Sequence, residues 1–210
     1  MKKILILDFD GTIIDSNFIK RSTIINHIKK KYSVEILKKI DIFKFKRLTR
    51  YDLISLAKNK PILEYEKIEI DNEVDINVIK SKIDPYFFEL FKFCSKNKIK
   101  IILLSNTPDK SLKEITNKLK ISDYFYKVIG KKENKNKEIT LSEIKKNESI
   151  NPFNILSVGD DFDDYLASKR NNIPFHGIYN YSLLCLRNKI PISYSLKGVV
   201  KSLKLAIKEF

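Results

Sequence analysis

The sequence predicts an α/β protein, a doubly wound parallel sheet interrupted once by an inserted helical module. Three observations predict it. Short, continuous apolar runs recur along the chain, each closed by a carboxylate, a hydroxyl or a glycine. Amphipathic helical patterns lie between them. One long stretch, between Leu7 and Pro85, carries helical patterns and no convincing strand.

The apolar run Ile4 to Leu7 reads as a buried strand. Ile99 to Leu104 repeats it and ends at Ser105. Phe125 to Ile129 is closed by Gly130, Asn154 to Val158 by Gly159, and Ile173 to Ile178 is the fifth run. Continuous apolar runs suit a parallel sheet covered on both faces. Phe87, Leu90, Phe91 and Cys94 fall at i, i+3, i+4 and i+7, and Pro85 suits the first turn of that helix. Leu112, Ile115 and Leu119 mark the next helix. Further helices are expected over Lys137 to Lys146 and Asp163 to Arg170, and Val199, Leu203 and Ala206 mark a C-terminal one. Strands alternating with helices give a Rossmann-like sheet.

The exceptional stretch is too long for an ordinary strand-to-helix connection. Phe18, Ile25, Ile28 and Tyr32 share a helical face, and shorter patterns cover Val34 to Phe43 and Tyr51 to Lys58. The expected division is therefore a core of residues 1–15 and 82–210 with a helical cap of residues 16–81. Charge within the cap is lopsided. Residues 20–60 carry 13 Lys/Arg against 3 Asp/Glu, and residues 64–84 carry 3 Lys against 7 Asp/Glu.

Composition narrows the class. At 43% hydrophobic residues the chain is not disordered, and 5 Gly with 6 Pro argue against a turn-dense all-β fold. The net charge of +15 favours anionic partners. Its lysines are scattered rather than gathered in one tract, so most of the excess reads as compositional. Cys94 and Cys185 stand far apart in apolar company and read as buried free thiols, which fits a cytoplasmic location. No signal peptide and no membrane-spanning run is visible.

The chemistry lies at the strand ends, where parallel sheets collect their ligands. The first strand ends in Asp8-Phe9-Asp10-Gly11-Thr12, the second in Ser105-Asn106-Thr107 and the fourth in Gly159-Asp160-Asp161-Phe162-Asp163-Asp164. Asp8, Asp10 and Asp160 brought together would need a cation, and oxygen ligands suit Mg²⁺. A carboxylate can attack phosphorus, and a second acid two residues on can protonate the leaving oxygen and then activate water. Ser105 and the Asn106 amide can bind phosphoryl oxygens, and a lysine can neutralise them. Lys137, just before the apolar helical pattern of Leu141 and Ile144, is a candidate for that task, with Lys135 as its main rival. An EF-hand reading of the first motif fails, since its sixth and twelfth positions are Ile13 and Ile19. His27 and His176 lack partners at any ligand spacing and read as structural.

These motifs resemble those of the haloacid dehalogenase-like superfamily, in its phosphatase branch. Asp8-Phe9-Asp10-Gly11-Thr12-Ile13-Ile14-Asp15-Ser16 matches the first family motif, Ser105 the second, Lys137 the third, and Gly159-Asp160 with Asp164 the fourth. The insert looks like the cap of the phosphoglycolate phosphatase and β-phosphoglucomutase subgroup. The resemblance implies Asp8 as nucleophile and Asp10 as general acid/base. It implies Mg²⁺ held by the Asp8 and Asp160 carboxylates and the Asp10 backbone carbonyl, with Asp164 orienting the metal's water shell. The expected activity is hydrolysis of a small phosphorylated metabolite (a sugar, polyol, amino-alcohol or glycolate phosphate) by a monomer or homodimer, with Lys44, Lys46, Arg47 and Arg50 of the cap as candidate substrate contacts. A β-phosphoglucomutase-like mutase is the alternative. A polynucleotide end phosphatase or nucleic-acid-binding protein is less favoured, because no basic stripe with interleaved aromatics is present.

Overall fold

The computed structural model describes the backbone of residues 3–32 and 48–208, with side chains to Leu205. The chain divides into two compact units, one of residues 1–15 and 82–210 and the other of residues 16–81.

The larger unit is built on a six-stranded sheet. Its strands are β1 (Ile4–Leu7), β2 (Lys100–Pro108), β3 (Lys127–Lys131), β4 (Ile155–Gly159), β5 (Phe175–Ile178) and β6 (Ile192–Ser193). They lie in the order β3-β2-β1-β4-β5-β6, and every paired neighbour runs parallel. The central β1 is buried at all four residues, as an apolar run between two helical layers requires. Alternate side chains serve the two faces. Ile4 and Ile6 join Ile102, Leu104, Ile155 and Ile173 in a cluster with Leu141, Ile144 and Ala167. The last three come from the helices Lys137–Asn147 and Phe162–Arg170.

The strands β3, β4 and β5 begin one or two residues later than the apolar runs predict, and β6 is too short to leave a pattern. Pro85 lies just outside its helix rather than in the first turn, because Tyr86 caps Phe87–Lys96. The larger difference is β2, which continues past Ser105. Leu104 pairs with Ile129 and Pro108 with Lys131, so four steps of β2 oppose two of β3. The surplus residues make a bulge that carries Ser105, Asn106 and Thr107. Cys94 is buried as expected, and burial pushes its thiol up to about 12. Cys185 is exposed, contrary to its apolar context. It lies on the short 3-10 helix Tyr181–Leu186, whose inward positions belong to Leu183 and Leu186.

The smaller unit contains α1 (Asn17–Lys31), α2 (Arg50–Lys58) and α3 (Glu64–Val78). The helical pattern proposed for Val34 to Phe43 lies outside the described residues. In α1 the buried face is Thr23, Ile24, His27 and Ile28, whereas Phe18 is 76% exposed. The predicted face is thus rotated toward His27. That imidazole is held by Glu73, with Nδ1 2.7 Å from its carboxylate. The acidic stretch forms α3, and its carboxylates meet the basic helices. Lys31 pairs with Glu69, Lys58 with Glu66 at 2.5 Å, and Arg50 with Asp71 at 3.1 Å. The opposite charge of the two segments is therefore compensated, in part, inside the unit. No helix among the described residues is long and apolar enough to cross a membrane.

Candidate active site

The site forms at the carboxyl edge of the sheet, where β1, β2 and β4 end. β1 delivers Asp8, whose backbone N–H still bonds Val158 of β4 at 2.9 Å. The chain then turns sharply. Ile13 and Ile14 donate to the Phe9 carbonyl, Gly11 donates to that of Ile14, and Gly11 takes φ +73°. That left-handed conformation favours glycine. Phe9 is fully buried, so the carboxylates on either side of it remain at the edge.

The bulge of β2 supplies the next contacts. The Thr107 hydroxyl donates to Asp10 Oδ2 at 2.8 Å, and the Thr107 N–H donates to Ser105 Oγ at 3.0 Å. Ser105 is buried, and Asn106 between them is exposed. Asn106 lines a cleft of about 210 Å³ together with Asn136, Lys137, Asp163 and Arg170.

Lys137 opens the helix Lys137–Asn147, behind an N-cap Asn136 whose side chain accepts from Ile139 N–H at 2.9 Å. A cation at a helix N-terminus opposes the helix dipole. Two carboxylates offset that cost, since Lys137 Nζ donates to Asp8 Oδ1 at 2.6 Å and to Asp164 Oδ1 at 2.5 Å. Burial works to lower the Lys137 pKa, but Asp8 and Asp164 more than compensate and hold it above the ordinary lysine range. Lys135, the rival in the sequence, pairs instead with Glu143 on the surface at 2.6 Å.

Asp161 is the N-cap of the helix Phe162–Arg170, and Asp164 Oδ2 reaches back to accept from the Asp161 N–H at 3.2 Å. One oxygen of Asp164 is thus committed to the cap and the other to Lys137. Gly159 makes room for this. A Cβ at position 159 would lie 2.4 Å from Asp164 Oδ2. The glycine of the fourth motif is needed by the aspartate five residues later.

Asp8, Asp160 and Asp164 are all buried, with carboxylate oxygens within 4.8 Å of one another. Burial, reinforced by Asp164, Asp160 and Asp10, raises the Asp8 pKa well above the ordinary carboxylate value, against the pull of Lys137. Asp160 is pushed up to about 6, chiefly by burial, with Asp164 and Asp161 adding and Asn180 opposing. Several buried carboxylates sharing one ammonium leave an excess of negative charge, and an all-oxygen donor set of this kind fits a hard divalent cation.

Sequence reasoning did not single out two of these contacts. Thr107 holds Asp10, and Asn180, just after β5, donates to Asp160 Oδ2 at 2.7 Å. Thr107 was within reach because it alternates with Ser105 along β2. Nothing in the sequence marks Asn180. In the helical unit Arg50 is engaged by Asp71, and Lys44, Lys46 and Arg47 lie outside the described residues.

A family signature described as haloacid dehalogenase-like hydrolase matches residues 2–172. The chain belongs to that family. Solved structures share its fold. A Thermotoga maritima protein assigned as a β-phosphoglucomutase is 20% identical with a TM-score of 0.77, over 97% of this chain and 99% of that one. A Haemophilus somnus protein assigned as a phosphoglycolate phosphatase is 19% identical with a TM-score of 0.73, over 96% and 98%. An Entamoeba histolytica hydrolase of the same superfamily is 17% identical with a TM-score of 0.75, over 97% and 100%. A comparison with curated proteins gives no match.

Proposed function

We propose that this hydrolase is a Mg²⁺-dependent phosphatase of small phosphorylated metabolites. The observation that carries the reading is the buried group of Asp8, Asp160 and Asp164 around Lys137, with Asp10 held beside it by Thr107.

In this reading an Asp8 carboxylate oxygen attacks phosphorus in line. The Asp8–phosphorus bond forms as the ester P–O bond breaks, and Asp10 gives its proton to the departing alkoxide. A water molecule then surrenders a proton to Asp10 and attacks phosphorus, releasing inorganic phosphate and restoring the Asp8 carboxylate. Thr107 orients Asp10 for both transfers. Lys137, already bound to Asp8, is placed to neutralise phosphoryl oxygens, with Ser105 and the Asn106 amide as further donors. Mg²⁺ held by Asp8, Asp160 and the Asp10 carbonyl, next to Asp164, would supply positive charge where the phosphoryl group carries negative charge.

The choice of ester is a property we propose for the helical unit. A small ester fits better than a polyanion, because part of the basic charge in that unit is matched by α3.

The test is phosphate release from p-nitrophenyl phosphate and a panel of metabolite esters. Activity should vanish with chelator and return with Mg²⁺. Asp8→Asn keeps shape but removes the attacking charge, and should lower turnover at least about a thousandfold while the protein stays folded. Activity within tenfold of the native chain would sink the assignment. One phosphate released per ester consumed marks hydrolysis. An isomeric sugar phosphate with little free phosphate would mark a mutase instead.

A further inference from the structure

Asp160 is held at two points by a segment that lies outside all four family motifs. Asn180 Nδ2 donates to Asp160 Oδ2 at 2.7 Å, and Ser182 Oγ donates to the Asp160 backbone carbonyl at 3.2 Å. The Asn180 amide is itself oriented. Its Oδ1 accepts from the Ser182 N–H at 3.3 Å, where Asn180 caps the 3-10 helix Tyr181–Leu186. An amide whose oxygen faces its own helix must present its nitrogen to Asp160. The scaffold beneath is fixed, since Leu183 and Leu186 pack with Phe175 of β5 and partly buried Ile190 and Ile192.

We infer that Asn180 is a positioning residue for the cation site, fixing the rotation of the Asp160 carboxylate beside Asp8 and Asp164. The inference rests on reading that cluster as a cation site. Outer contacts of this kind set ligand orientation, and their loss weakens metal binding about ten- to a hundredfold. The Ser182 bond acts on the main chain and does not set the carboxylate's rotation, so its loss should matter less.

The experiment uses the full chain with Mn²⁺ as probe, its binding followed by electron paramagnetic resonance and by calorimetry, without substrate. The native chain should bind Mn²⁺, and Asp160→Asn should abolish or nearly abolish that binding. Asn180→Ala should weaken it at least about tenfold, with the melting temperature of the metal-free protein little changed. Asn180→Ser keeps a hydroxyl that can cap the 3-10 helix but is too short to reach Asp160. It should show the same loss, which separates positioning from folding. Ser182→Ala should change affinity less than about threefold, well short of that loss. Native-like Mn²⁺ affinity in Asn180→Ala or in Asn180→Ser would overturn the inference while leaving the cation site standing. Absence of Mn²⁺ binding by the native chain would overturn both.

Discussion

In the helical unit Lys31 faces Glu69, Arg50 faces Asp71 and Lys58 faces Glu66. At the carboxyl edge of the sheet, Asp8 and Asp164 share the ammonium of Lys137, and Asp160 lies against them. The first arrangement matches charges one to one, from the exposed Lys31–Glu69 pair to the largely buried Lys58–Glu66 pair, and favours the folded state modestly. The second buries three carboxylates around the single ammonium of Lys137, and burial there opposes the charged form of Asp8 and Asp160. Polar groups in the helical unit serve architecture. Those at the sheet edge are held together although burial opposes their charge, the arrangement on which the proposed function rests.

The hardest test of this contrast is Gly159→Ala. The added Cβ would lie 2.4 Å from Asp164 Oδ2, so the Asp164 side chain, held by both its cap and Lys137, should be displaced. Turnover of p-nitrophenyl phosphate should fall about a hundredfold, the usual consequence of displacing a site by an ångström. Activity within threefold of native would mean that the clamp on Asp164 is dispensable.

A smaller effect separates the two units by sign. Burial raises Asp160 to about 6, so between about pH 4 and 6 the folded chain holds a proton that the unfolded chain has released. Stability from this group therefore falls as pH rises through that window. In chelator, Asp160→Asn should match the native chain near pH 4 and exceed it by about 1–3 kcal/mol at pH 7. Glu66 behaves oppositely. The Leu63 N–H and then Lys58 lower its pKa, so its contribution is present above the ordinary value of 4.5 and fades as pH falls through the depressed one. Glu66→Gln should cost about 1 kcal/mol at pH 7 and progressively less in acid. Urea melts of both variants across pH check the pair. Equal signs would erase the contrast.

The smallest effect belongs to Lys31→Ala. Its partner Glu69 is 46% exposed on its side chain, and exposed pairs contribute little. The melting curve should superimpose on the native one. A clear drop would show that the helical unit depends on its ion pairs more than its buried face suggests.

The sequence by itself determined the sheet and which strand ends carry the candidate site. Ile4 to Leu7 can only be buried, and a buried strand ending in Asp8-Phe9-Asp10-Gly11 places carboxylates at a sheet edge whatever follows. Gly159 and Asp164 were likewise legible together, since their spacing spans the first turn of a helix. The acidic stretch was not. In α3 apolar residues alternate at Ile68, Ile70, Val74, Ile76 and Val78, which obscures a helical period, and Ile68 and Ile76 are in fact exposed. The helical pattern favoured Lys137 over Lys135, and the tertiary structure is what brings it to Asp8: Lys137 is the first residue of its helix, whereas Lys135 precedes the N-cap Asn136 and pairs with Glu143. Asn180 was decided there too. Its meeting with Asp160 depends on β5 lying beside β4, a contact between residues twenty apart that no local pattern encodes.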